Sequence, residues 1–176
     1  MNLPNKLTLA RMIAVPFFIA AFLFGMYPLA LIIFIAASVT DYFDGKIARS
    51  QNLVTNFGKI MDPLADKILV YSALCLFIET RSISAWMLII ILAREFVVAG
   101  MRTVAASEGT VLAAGMSGKI KTVLQMIAVI LMLAGLWLTG VPAVMKVGYY
   151  VFLASLFMTV YSGAEYVYQN KEVFSM

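Results

Sequence analysis

Histidine is absent from the 176 residues, and cysteine occurs once, at Cys75. These two facts exclude an intramolecular disulfide framework and a Cys/His zinc site. Imidazole acid–base chemistry is excluded as well. Charge is also scarce: 12% of residues are charged, about half the content of a soluble domain. Aspartate is scarcer still, with four in the whole chain. No Ser/Pro/Gly-rich linker divides the sequence, and no internal repeat is evident. We therefore read residues 1–176 as one domain.

What is abundant is apolar sequence, at 63% of residues. Six apolar stretches, about 5–25, 28–50, 60–79, 84–106, 118–139 and 143–168, approach the ~20 residues that cross a bilayer as helix. The expected fold is an all-α integral membrane protein, a bundle of six transmembrane helices. Residues 1–11 should form a short interfacial entry. The first stretch is too long, and lacks the small-residue cleavage pattern, for a signal peptide. Pro16 should kink the first span. Tyr27-Pro28 should mark the first external turn, and Thr55 or Asn56 should cap the third helix. Trp86 and Trp137 fit an aromatic belt. The twelve methionines read as packing, and Cys75 as lipid- or core-facing.

Net charge is +4. Lys6, Arg11, Lys46, Arg49, Lys59, Lys67, Arg94, Arg102, Lys119, Lys121 and Lys171 fall at one set of span ends, and Arg81 and Lys146 at the other. The positive-inside rule then places both termini and the 50–60 and 106–118 connections in the cytoplasm. The bases flank apolar spans, so anionic lipid headgroups and a phosphorylated substrate fit better than nucleic acid.

All four aspartates fall between Thr40 and Lys67. Asp41 and Asp44 are three apart, Asp62 and Asp66 four apart, so each pair shares a helix face. A helical hairpin would bring the pairs together at one depth. Each Asp inside a spanning helix costs about 2.5–3.5 kcal/mol on insertion scales, and four would repel one another. Local bases offset part of that; divalent cations offset it better. Carboxylate-only ligation suits a hard ion, Mg²⁺ or Mn²⁺, and two pairs suit two ions clamping phosphoryl oxygens. Aspartates solvated at the interface beside their Lys and Arg neighbours are the bland alternative. A cation transporter is the alternative of another class; its acidic residues should spread through membrane depth, whereas these sit at one level.

The register Asp41-x-x-Asp44-Gly45-x-x-Ala48-Arg49, then eight residues, then Gly58-x-x-x-Asp62-x-x-x-Asp66, resembles the CDP-alcohol phosphatidyltransferase signature at every fixed position. The segments PNKLTLAR at 4–11, AREFVVAGMR at 93–102 and GKIKTVLQM at 118–126 look like the phosphatidylglycerophosphate synthase branch of that family. The resemblance covers the whole chain. It implies CDP-diacylglycerol as donor, glycerol 3-phosphate as acceptor, CMP as leaving product, and a homodimer with its metal site facing the cytoplasm. Carried over residue by residue, Asp41, Asp44 and Asp62 become metal ligands, and Asp66 becomes the base, a ligand, or both. Gly45 and Ala48 admit the nucleotide diphosphate, Arg49 pairs with it, and Gly58 stands at the phosphate-favouring start of the third span. Asn5 and Thr8 contact the cytidine side. Inositol phosphate or serine as acceptor is the neighbouring alternative.

A phosphorylated acceptor requires cations. Arg94 and Arg102 are eight apart, about 80° round a helix, so they broadly share a side. Ser117, Lys121 and Gln125 form a polar stripe. Lys119 is about 200° from Lys121, so both reach one phosphate only if that helix begins later. The alternative for Arg102, Lys119 and Lys121 is a topology signal alone. Glu95 reads as the partner of a neighbouring base, and Glu165 as cavity lining or structural pairing.

Overall fold

The computed structural model describes residues 3–50, 56–110, 112–113 and 115–171, with side chains for all of these except 3–6, 41–50, 56–60, 62–63 and 66. The described residues form six helices and no strand: α1 Leu3–Leu23, α2 Tyr27–Ser50, α3 Asn56–Glu79, α4 Ala85–Ser107, α5 Met116–Trp137 and α6 Pro142–Gln169. Each coincides with one of the six apolar stretches. The interfacial entry is not a separate element. It is the first turns of α1, and Thr8 and Arg11 within it are buried. Helix α3 begins at Asn56, while Thr55 lies outside the described residues. The first turn is Phe24–Met26, one step before the expected Tyr27-Pro28. Pro28 sits in the opening turn of α2, where a missing N–H breaks no helical bond.

Three helices end in the same way. At the end of α1, Met26 N–H donates to Ala21 O at 2.8 Å and Gly25 N–H to Phe22 O at 2.9 Å. Gly25 adopts φ +71°, the left-handed conformation this cap requires. Gly109 repeats the cap after α4 with φ +77°, and Arg81 repeats it after α3 with φ 57°. Arg81 carries a side chain into that region, at a cost of about 1–2 kcal/mol.

The tightest pair is α5 with α6. A Cβ on Gly135 would lie 2.7 Å from the Met145 Cα, and one on Gly148 would lie 2.9 Å from the Met132 N. These glycines let the two backbones touch, as small residues do between membrane helices. Moving three residues back along α5 moves three forward along α6, which fixes an antiparallel register. Extended to the far end, that register sets Ser117 opposite Gly163, within one turn of Glu165. Helix α1 packs on α2 and α3, with Phe18, Phe22, Phe34 and Phe77 stacked edge to face and tilted at centroid separations of 5.9–6.5 Å.

Outer faces are apolar too: Phe17, Ile32, Ile89, Phe96 and Phe157 are each more than 60% exposed. A water-soluble surface rarely carries so much. Helices α5 and α6 are long and apolar enough to cross a membrane. Trp86 and Trp137 are half exposed beside the α3–α4 and α5–α6 turns, and Cys75 is exposed.

Candidate functional site

At the opposite end from the α3–α4 and α5–α6 turns, a cavity of about 1010 Å³ opens between α3, α4, α5 and α6. Lys67 reaches it from α3, Arg94, Glu95 and Arg102 from α4, and Ser117 and Lys119 from α5. Ser162, Glu165, Tyr166 and Gln169 complete the wall from α6. Arg94 and Arg102 do share a side, as their spacing predicts.

Glu95 organises the floor. Its Oε1 accepts from Arg94 Nη1 at 2.9 Å and from Lys121 Nζ at 2.8 Å; its Oε2 lies 2.9 Å from Lys67 Nζ. One carboxylate thus ties α3, α4 and α5 together. The Glu95 and Lys121 side chains are only 12% and 6% exposed. In such a place neither charge is tolerable without the other. The bland expectation of one neighbouring base for Glu95 therefore becomes three.

Arg94 is held on its other edge by Ser162, whose Oγ accepts from Nη2 at 3.1 Å. Its Nε is buried with no hydrogen-bond partner among the described residues. Two glycines make room for it. A Cβ on Gly118 would stand 3.2 Å from Arg94 Nη2, and one on Gly163 would stand 2.8 Å from Arg94 Cγ. Arg102 donates from Nε to the Tyr166 hydroxyl at 3.1 Å, and its guanidinium carbon lies 5.3 Å from that ring's centroid. Tyr166 thus fixes Arg102 by both edge and face.

The two lysines of α5 part company. The helix begins at Met116, ahead of both, so the later start that would aim them at one phosphate does not occur. Lys119 is exposed and lines the cavity, whereas Lys121 is buried against Glu95 and does not. Gln125 is buried one turn beyond Lys121, and Ser117 is half-buried one turn before it, so the polar stripe faces inward. Ser117 Oγ donates to Glu165 Oε2 across α5 and α6.

Sequence reasoning missed Ser162, Tyr166, Gly118 and Gly163. The signal was present in part: Ser162-Gly163 is a small pair one turn before Tyr166, and Gly118 opens the quoted GKIKTVLQM segment.

Helix α2 runs unbroken through Asp41 and Asp44, and α3 through Asp62 and Asp66. The three- and four-residue spacings therefore fall on helix. The side chains of Asp41, Asp44, Asp62 and Asp66 lie outside the described residues, as do those of Asn5 and Arg49 and the surroundings of Gly45, Ala48 and Gly58. Thr8 is described and is buried, at 1% exposure. Lys67 follows Asp66 directly and lines the cavity, so the aspartate-bearing segment of α3 borders it. The donor chemistry fits hard divalent cations, four carboxylates and no sulfur or imidazole.

Residues 1–161 match the family model described as CDP-alcohol phosphatidyltransferase. The chain belongs to that family. It is 46% identical, over 97% of its length and 96% of the relative's, to a Bacillus subtilis protein named CDP-diacylglycerol--glycerol-3-phosphate 3-phosphatidyltransferase. A Rickettsia felis protein of the same name is 36% identical over 98% of this chain and 97% of its own. A Mycobacterium tuberculosis protein named probable phosphatidylglycerophosphate synthase is 37% identical over 94% of this chain and 80% of its own.

Proposed function

We propose that this protein transfers the phosphatidyl group from CDP-diacylglycerol to glycerol 3-phosphate, giving phosphatidylglycerophosphate and CMP. The observation that carries the reading is the cavity bounded by Arg94, Arg102 and Lys119, whose wall passes through Lys67 into the segment bearing Asp66. Cations beside a carboxylate cluster suit an acceptor that brings its own phosphate to a diphosphate donor. The names of the relatives point the same way.

In this reading Asp41, Asp44, Asp62 and Asp66 hold two divalent cations, Mg²⁺ or Mn²⁺. When bound, such ions supply charge neutralisation for the diphosphate and for the oxygen on which CMP departs. Arg49 pairs with the diphosphate. Gly45, Ala48 and Gly58 leave space for it, and Asn5 meets the cytidine side; Thr8, closed off at 1% exposure, supports α1 from within. Arg94, Arg102 and Lys119 grip the acceptor's phosphate and hold its free hydroxyl toward α3. Lys121 acts through Glu95, keeping Arg94 in place. Asp66 takes the hydroxyl proton as the oxygen attacks the phosphorus that carries diacylglycerol and the bond to CMP breaks. Positioning and electrostatics supply most of the acceleration in such transfers.

The proposal also places all six helices across the cell membrane, with both termini and the cavity on the cytoplasmic side, and the protein as a homodimer. Support comes from the outward apolar faces, the Lys/Arg asymmetry and the family resemblance. The test is an acceptor panel. Purified protein, CDP-diacylglycerol and Mg²⁺ should release CMP with glycerol 3-phosphate and far less with serine, inositol phosphate or glycerol. Preference for any of these others would replace the acceptor.

A further inference from the structure

Glu165 is out of keeping with the wall it belongs to. The bases around the cavity are Lys67, Arg94, Arg102 and Lys119. Among the described residues of the wall the other carboxylate, Glu95, is already matched by Lys67, Arg94 and Lys121. Among the described residues Glu165 makes no ion pair. Its oxygens accept from neutral groups among those residues, Oε2 from Ser117 Oγ and Oε1 from Gln169 Nε2 at 3.3 Å. An ionised carboxylate offers about four acceptor positions, so part of its capacity is unspent. Its place is specific. On α6, Ser162 holds Arg94 and Tyr166 holds Arg102, and Glu165 projects from the same turns. A carboxylate there repels a phosphate bound between the arginines. That arrangement suits a ligand only if the ligand carries hydroxyl donors next to its anion.

We propose that Glu165, supported by Ser117, forms a hydroxyl-recognition subsite that reads the secondary alcohol of the phosphorylated polyol acceptor. The inference rests on the acceptor reading above. The phosphate lies against Arg94, Arg102 and Lys119, the attacking hydroxyl points toward α3, and the alcohol between them donates to Glu165. A ligand with an anion but no adjacent donor meets the repulsion without the charge-assisted bond that offsets it.

The test compares glycerol 3-phosphate with 3-hydroxypropyl phosphate, which keeps the phosphate and the primary hydroxyl but lacks the secondary one. kcat/KM is measured by CMP release for the wild type, E165A and E165Q, with the KM for CDP-diacylglycerol as a check on folding. A hydrogen bond to a charged group predicts a wild-type preference of roughly 10–100-fold for glycerol 3-phosphate. In E165A the ratio should fall toward one, and in E165Q it should fall several-fold. If E165A does not fold, E165Q decides, because its amide keeps the shape and the bond from Ser117. A wild type indifferent to the secondary hydroxyl overturns the inference. So does an unchanged ratio in a variant that loses turnover of both acceptors equally, which marks Glu165 as a structural tie. If the wild type releases CMP with neither phosphate but does so with another alcohol, the acceptor reading fails first and the subsite falls with it.

Discussion

Lys121 Nζ lies 2.8 Å from Glu95 Oε1, a contact between α5 and α4 with both side chains nearly closed off from solvent. The pair is the electrostatic keystone of the cavity, because the same carboxylate also holds Arg94 and Lys67. Removing one partner of a buried pair leaves the other charge stranded, at a cost of about 3–5 kcal/mol. Glu95→Ala should therefore lower thermal stability sharply in detergent. Replacing both partners in Glu95→Met/Lys121→Met should recover much of that stability without recovering activity. A double variant as unstable as Glu95→Ala would show that the loss comes from packing or from the stranded Arg94, and not from Lys121.

The two α5 lysines should separate in the same way. Lys119→Ala should leave the melting temperature near that of the wild type and raise the KM for glycerol 3-phosphate by roughly tenfold. Lys121→Ala should lower stability first. Arg94→Ala and Arg102→Ala should raise the KM for glycerol 3-phosphate more than that for CDP-diacylglycerol, and Arg49→Ala the reverse. Equal shifts on both substrates would assign these residues to general architecture.

Two glycine substitutions distinguish packing from positioning. On Gly135→Ala the new methyl meets the backbone of α6 at 2.7 Å, and backbone cannot move aside. Overpacking of this kind costs about 1–3 kcal/mol, so stability should drop. On Gly163→Ala the methyl meets Arg94 Cγ at 2.8 Å, close to the root of a side chain held at its tip by Glu95 and Ser162, so Arg94 itself must shift. Its effect should appear chiefly as weaker use of glycerol 3-phosphate. Thermal unfolding and acceptor KM measured on both variants check the contrast; equal loss of stability would remove it.

Chelation should abolish CMP release, and added Mg²⁺ or Mn²⁺ should restore it. Asp41→Asn and Asp62→Asn should weaken metal binding along with rate. Asp66→Asn should keep donor and metal binding better while turnover falls about 10²–10⁴-fold, the usual loss for a positioned base. Donor binding and turnover measured on one preparation decide this. Parallel loss makes Asp66 a ligand, and near-normal turnover rejects both roles.

Six helices were legible in the sequence because apolar run length alone marks them, and their ends move by only a few residues. The common side of Arg94 and Arg102 was legible from helical arithmetic. The same arithmetic set the condition for Lys119 and Lys121 to act together, and the start of α5 at Met116 settles it against them. Of the three-way grip of Glu95 only a neighbouring base was legible; Lys67 and Lys121 join it through packing that no local pattern encodes. The same holds for Gly118 and Gly163, whose purpose appears only once Arg94 passes beside them. Arg81 in a left-handed cap could not be read either, since glycine is the residue that announces such a cap. The aspartate spacing was legible throughout, and both pairs fall on continuous helix.

The most direct measurement follows the acceptor's atoms into lipid. Purified protein is supplied with CDP-diacylglycerol, Mg²⁺ and glycerol 3-phosphate labelled in both its carbon and its phosphorus. The account predicts one CMP released for each labelled lipid formed, with both labels retained in that lipid in their original ratio. CMP released without label in lipid, or a lipid carrying the glycerol carbon without its phosphorus, would contradict it.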